Sequence, residues 1–126
     1  MRADESRELV LIRHAKSSWD HPELQDFERT LNHRGLRDAP MMGQRLAASG
    51  FRADIIVSSP ATRAIMTAAR IAAEIGFDPD SIVQNPLVYG ASPGALMEVI
   101  TGIDDAFQIA VLVGHNPGIT QLCNAL

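Results

Sequence analysis

Two arginines and two histidines carry the chemistry that this sequence could do. Arg13-His14 follows an unbroken apolar run, Leu9-Val10-Leu11-Ile12. Ser58-Ser59 closes a second short run over 54–57, and Arg63 comes about one helical turn later. His115 follows a third run, Ile109–Val113, after a single glycine. A guanidinium presents a planar fork of N–H donors that matches phosphate oxygens. A histidine can act as nucleophile or general base near neutral pH. The chemistry this set suggests is phosphoryl transfer, which needs the phosphate oxygens neutralised and the attacking and leaving groups in line. No carboxylate cluster accompanies the four residues, so cationic side chains would stand where a metal often does. One histidine would attack phosphorus and hold the phosphoryl group until water removes it.

That set is useful only if the chain brings its three pieces together. Strand patterns at 8–13, 54–57 and 109–113, with a weaker one at Ile82-Val83, alternate with helical patterns. The alternation predicts an α/β fold: a mostly parallel sheet with helices on both faces, a three-layer sandwich. In a parallel sheet all three strand ends reach one edge, where ligands collect. The Leu9–Ile12 run reads as a strand buried on both faces. Asn32 reads as the cap of a first helix that ends near Gly50. Pro40 predicts that this helix kinks or starts late. Ser59 reads as a cap with Pro60 at the first helical position, in a helix closed by Gly76. Ser92-Pro93 and Asn116-Pro117 read as two more helix starts. On this reading two helix N-termini, at Pro60 and Pro117, add N–H groups to an anion pocket. The segment from Ala15 to Leu31 is long for a connection, as functional loops often are.

Composition narrows the class. The chain has 126 residues, 46% of them hydrophobic, with a net charge of −4. One domain with a proper core is expected, and a nucleic-acid binder is disfavoured. The longest apolar runs are too short to cross a bilayer. The single cysteine, Cys123, allows no intrachain disulfide. With no signal-like leader in sight, a cytoplasmic protein is expected. The last helical pattern reaches Leu126 without a stop signal, which predicts a domain whose C-terminal portion is missing from this chain.

Three stretches in this order resemble one known family. They are Leu11-Ile12-Arg13-His14-Ala15, Ser58-Ser59-Pro60-Ala61-Thr62-Arg63-Ala64 and Val113-Gly114-His115-Asn116-Pro117. They resemble the histidine phosphatase superfamily, and Asp26–Leu31 with Gly35 resembles its small phosphohistidine phosphatase branch, the SixA type. The resemblance implies a phosphoglycerate mutase-like fold and no metal or organic cofactor. It implies His14 as the phosphorylated nucleophile, with Arg13, Arg63 and His115 as the other phosphate-binding members. The sequence departs from the pattern at Ala15, where the family motif has glycine, and at Thr30, where the branch often has proline. It departs again over Leu87–Ser92, where many members carry an acidic proton donor and this chain has no carboxylate.

Asp26 is then a candidate proton donor, with a merely solvated loop acid as the equal alternative, and Asp20 is a weaker one. Arg29 could anchor Asp26 or touch substrate. Ser58 could offer phosphate a hydroxyl, or cap a helix. His21 and His33 read as surface residues, Trp19 and Tyr89 as packing, and Cys123 as a buried, inert thiol. The reading that follows is a metal-independent phosphatase acting through phosphohistidine on His14. Its partner would be a protein carrying phosphohistidine, with neither nucleic acid nor membrane involved. A phosphatase of small phosphate esters and a non-catalytic phosphate-binding module are the alternatives.

Overall fold

The alternating patterns resolve into one parallel sheet. The structure is a computed structural model that describes residues 7–14 and 26–125. In chain order the main elements are β1 (Glu8–Arg13), α1 (His33–Ala48), β2 (Ile55–Ser58), α2 (Thr62–Ile75), β3 (Val83–Gln84), α3 (Pro93–Thr101), β4 (Ile109–Gly114) and α4 (Gly118–Ala125). The sheet order is β1-β4-β2-β3, and every pairing is parallel. β4 is last in sequence but central in space, with β1 on one side and β2 on the other.

Side chains alternate across the sheet, and each set meets its own pair of helices. Val10, Ile12, Ile56, Val111 and Val113 pack with Ala64, Ala68, Ile71 and Ala72 of α2 and Leu46 of α1. Leu9, Leu11, Ile55, Val57 and Leu112 pack with Leu96 and Val99 of α3 and Ile119 and Leu122 of α4. The expected three layers are present. Leu112 is fully buried at the centre of the sheet, and truncation of such a residue to alanine costs about 2–5 kcal/mol. Gly43 permits a close approach of α1 to α2, since a Cβ there would lie 2.8 Å from Glu74 Cβ.

Four local expectations change. β1 is not buried on both faces: only Ile12 is, because β1 is the outer strand of the described sheet and lies at the rim of both cores. α1 runs unbroken from His33 with Pro40 inside it, while the Asn32 side chain accepts the Gly35 N–H at 2.9 Å as expected. α2 starts at Thr62, not at Pro60, and Ala61 stands at its cap position without a side-chain bond. The Ser59 oxygen is committed to the turn and to His115, so it cannot cap α2. Cys123 is exposed, because α4 turns Gly118, Ile119 and Leu122 inward instead.

Candidate active site

The sheet register levels the three strand ends. Arg13 lies beside Gly114, and Ser58 beside Val113. The ladder continues one step past each outer strand, with His14 N–H donating to the Gly114 carbonyl and Ser59 N–H to the Val113 carbonyl, both at 3.0 Å. His14, Ser59 and His115 are thereby fixed at one edge by backbone geometry alone.

Arg63, in the first turn of α2, joins them and is buried. Its Nε–H donates to His14 Nε2 at 3.2 Å. Its Nη2 donates to Asp26 Oδ2 at 2.9 Å and lies 3.3 Å from His115 Nδ1. Its Nη1 donates to the Asp26 carbonyl. A guanidinium has donors and no acceptor, so both facing histidine nitrogens must accept. His14 Nε2 then carries a lone pair, the form a nucleophile needs.

His115 must keep its proton on Nε2, which donates to Ser59 Oγ at 2.7 Å. The same oxygen accepts the Ala61 N–H at 3.1 Å. Burial first, then the charges of Arg63 and His14, lower the His115 pKa to about 4. His115 is therefore a neutral ring at pH 7, able to donate or accept a hydrogen bond without adding charge. The two histidine rings lie 5.1 Å apart between centroids.

Asp26 begins a single 3₁₀ turn, Asp26–Glu28, that faces the start of α2. Its Oδ2 accepts from the Tyr89 hydroxyl at 2.7 Å as well as from Arg63, and its Oδ1 lies 3.9 Å from Arg29 Nε. The Tyr89 hydroxyl, aided by Arg63 and Arg29 against partial burial, holds the carboxyl below the usual range. Asp26 raises the Tyr89 pKa in return. Asp26 is thus a carboxylate seated on the arginine fork.

The structure thus brings together four of the five expected site residues: His14, Arg63, His115 and Asp26. Arg13 stands beside them, exposed at the end of β1. Among the described residues it makes no hydrogen bond or ion pair, and with His14 it lines a cleft of about 340 Å³ against Arg34, Asp38 and Met42 of α1. Ser58 turns its hydroxyl to the Ser59 carbonyl at 2.9 Å, neither toward the pocket nor onto a helix. Arg29 Nε lies 3.9 Å from Asp26 Oδ1, an ion-pair distance beyond hydrogen-bond reach, and His33 is exposed as expected. Ala15, Trp19, Asp20 and His21 lie outside the described residues. Ser59 and Tyr89 are functional residues that sequence reasoning assigned to other tasks. Among the described residues no group of three or more His, Cys, Asp or Glu could hold a metal ion.

The ends of the parallel strands gather two histidines around a buried arginine, a donor set whose chemistry suits an oxyanion. The family model for the histidine phosphatase superfamily (branch 1) matches residues 9–85. The chain belongs to that superfamily, and within it is SixA-like. An uncharacterised chloroplast protein of Arabidopsis thaliana is 33% identical across 96% of this chain, and the match covers 59% of that protein's length. An uncharacterised Mycobacterium tuberculosis protein is 35% identical across 91% of this chain and 69% of its own. The crystal structure of a candidate SixA phosphohistidine phosphatase from Agrobacterium tumefaciens superposes with a TM-score of 0.86 at 31% identity, over 95% of this chain and 76% of that one. The phosphoglycerate mutase-like fold follows from these matches. No described helix is long and apolar enough to cross a membrane.

Proposed function

We propose that this protein removes phosphate from phosphohistidine on a partner protein, through a phosphohistidine intermediate on His14. The observation that carries the reading is the Arg63 fork, whose Nε–H holds a lone pair on His14 Nε2 while its Nη2 faces Asp26 and His115. Substrate phosphate takes the place of the Asp26 carboxylate on that fork, with Arg13 free to close on it from the end of β1. His14 Nε2 then attacks phosphorus, and the bond to the leaving group breaks with its electron pair going to that group. Water next attacks the phosphoryl group, the P–N bond to His14 breaks, and phosphate departs from a neutral ring.

The leaving group favours phosphohistidine over alkyl esters. An alkoxide is strongly basic and must receive a proton as it departs. A departing imidazole, whose conjugate acid has a pKa of about 6.5, can be protonated beforehand by water. Among the described residues the carboxyl that meets Arg63 is Asp26, and its hydrogen bonds keep it ionised. Phosphate bound beside it both removes the Arg63 bond and adds like charge, which favours protonation. Asp26 is then the proton donor only once substrate is seated.

The test is a substrate panel with trapping of phosphate on the protein by a quench in alkaline denaturant, because a P–N bond to histidine is labile in acid. A phosphohistidine peptide should be turned over with higher kcat/KM than a phosphoserine peptide, and labelled phosphate should appear on the wild type and not on His14→Ala. Preferential turnover of alkyl esters would move the small-ester reading ahead. Phosphate binding with no turnover of any substrate would favour the binding-module reading.

A further inference from the structure

Two aromatic residues border the site, and apart from the Tyr89 hydroxyl their rings have no part in the chemistry above. Phe27 is 41% exposed and Tyr89 36% exposed, although each has a large apolar ring. Their centroids are 5.2 Å apart at 78°, and Tyr89 in turn meets His115 at 5.3 Å and 88°. Both contacts are edge-to-face, within the favoured range for ring pairs. A line of three rings therefore runs from the buried His115 outward to solvent.

The position of that line follows from Arg63. The Nε end of its fork meets His14, and its Nη2 end meets Asp26 Oδ2, the atom that also takes the Tyr89 hydroxyl. A phosphoryl group held by that fork has His14 at one end and the Asp26–Tyr89 pair at the other. In-line displacement by His14 sends the leaving group toward Tyr89 and Phe27. We propose that Phe27 and Tyr89 form the wall of the leaving-group subsite, and that this wall selects substrates whose phosphoryl group is carried on a planar aromatic ring. The inference rests on the His14 mechanism and adds a basis for choosing among substrates. A phosphorylated imidazole gains ring-to-ring contact with the wall. Once protonated it also gains the attraction of a cation to an aromatic face. A protonated aliphatic amine shares the cation's attraction but has no ring to pack on the wall, and an alkyl alcohol gains neither.

The experiment compares two substrates with the same type of P–N bond, a phosphohistidine peptide and a phospholysine peptide, of which only the first carries a ring. The readout is the ratio of their kcat/KM values in wild type, Phe27→Leu, Tyr89→Leu and Tyr89→Phe. Both leucine variants should lower the ratio by about three- to tenfold. Tyr89→Phe keeps the ring and should keep the ratio, even where loss of the bond to Asp26 changes both rates together. Thermal melts check that the variants fold. An unchanged ratio in both leucine variants would overturn the wall. So would an equal fall in Tyr89→Phe and Tyr89→Leu, because the hydroxyl would then be the determinant. If the wild type hydrolyses neither phosphoramidate, the phosphohistidine reading fails separately. The wall is then judged by the same changes in the ratio of phenyl phosphate to propyl phosphate hydrolysis.

Discussion

Replacing Asp26 with asparagine should make the pocket bind a dianion more tightly while slowing the hydrolysis of alkyl esters. The Asp26 carboxylate occupies Arg63 Nη2 at 2.9 Å, so an incoming anion must displace it. A hydrogen bond to a charged group contributes about 1.5–3 kcal/mol. The Asp26 side chain is 53% exposed, and water screens such a pair, so about 1 kcal/mol is the reasonable figure. That corresponds to about a fivefold gain in affinity. Sulfate is the suitable probe because it stays a dianion across the working range. Titration calorimetry then reads affinity without turnover. Wild-type affinity should fall as pH rises above the depressed titration of Asp26, because binding must then take up a proton, and the fall should be shallower in Asp26→Asn. Hydrolysis of a phosphoserine peptide should drop more than that of a phosphohistidine peptide. Unchanged or weaker sulfate binding by Asp26→Asn would refute displacement, and an equal loss on both peptides would refute a donor role.

Arg63→Lys keeps the charge but not the fork, and should lower kcat/KM about 100-fold, comparable to losing one preorganised donor; parity with wild type would remove the fork from the mechanism. His115 should make the fold sensitive to mild acid. Its folded pKa, about 4, lies below the model-peptide value of 6.5, so the unfolded chain binds the proton first. Its contribution to stability is complete above pH 6.5 and falls as pH drops toward 4. Asp26 titrates below that window, so the loss of Tm on acidification should be smaller in His115→Gln than in wild type, and equal losses would refute the assignment. Gly118→Ala should destabilise by about 1–3 kcal/mol through overpacking, because its new Cβ would meet the Ala91 carbonyl oxygen at 2.3 Å; a wild-type melting temperature would contradict that close approach.

Much of this was legible because the pattern and the chemistry coincide at strand ends. The run Leu9–Ile12 and the pair Arg13-His14 announce strand and site in six residues, and period-two alternation fixes which side chains enter which core. Parallel pairing then brings His115 to His14 without further information. Less legible was any feature set by a competition for one atom. Ser59 has the right chemistry for a cap, but His115 takes its oxygen, a choice that depends on a residue 56 positions away. Tyr89 looked like packing because an aromatic next to glycine carries no sign of its partner. Its hydroxyl meets an aspartate 63 positions earlier. The one signal was its place in the stretch where the resemblance expects an acid. Burial of β1 was overestimated because an apolar run cannot reveal whether its strand is central or at the rim. For Cys123, helical spacing from Ile119 allowed an inward position that the packing of α4 did not use.

The order β1-β4-β2-β3 also bears on how the chain is made. β4, the strand that joins β1 to β2, follows β1, β2 and β3 in the chain. Until Gly114 has left the ribosome, β1 has no described partner strand, and β2 has only the two residues of β3. Until β4 is made both strands therefore hold bare backbone edges beside apolar runs, the arrangement that invites pairing with another chain. Arg63 cannot meet His115 until that last strand is in place. The described sheet can form only once β4 is complete, and nascent chains that stop short of β4 are the ones a chaperone would be expected to hold.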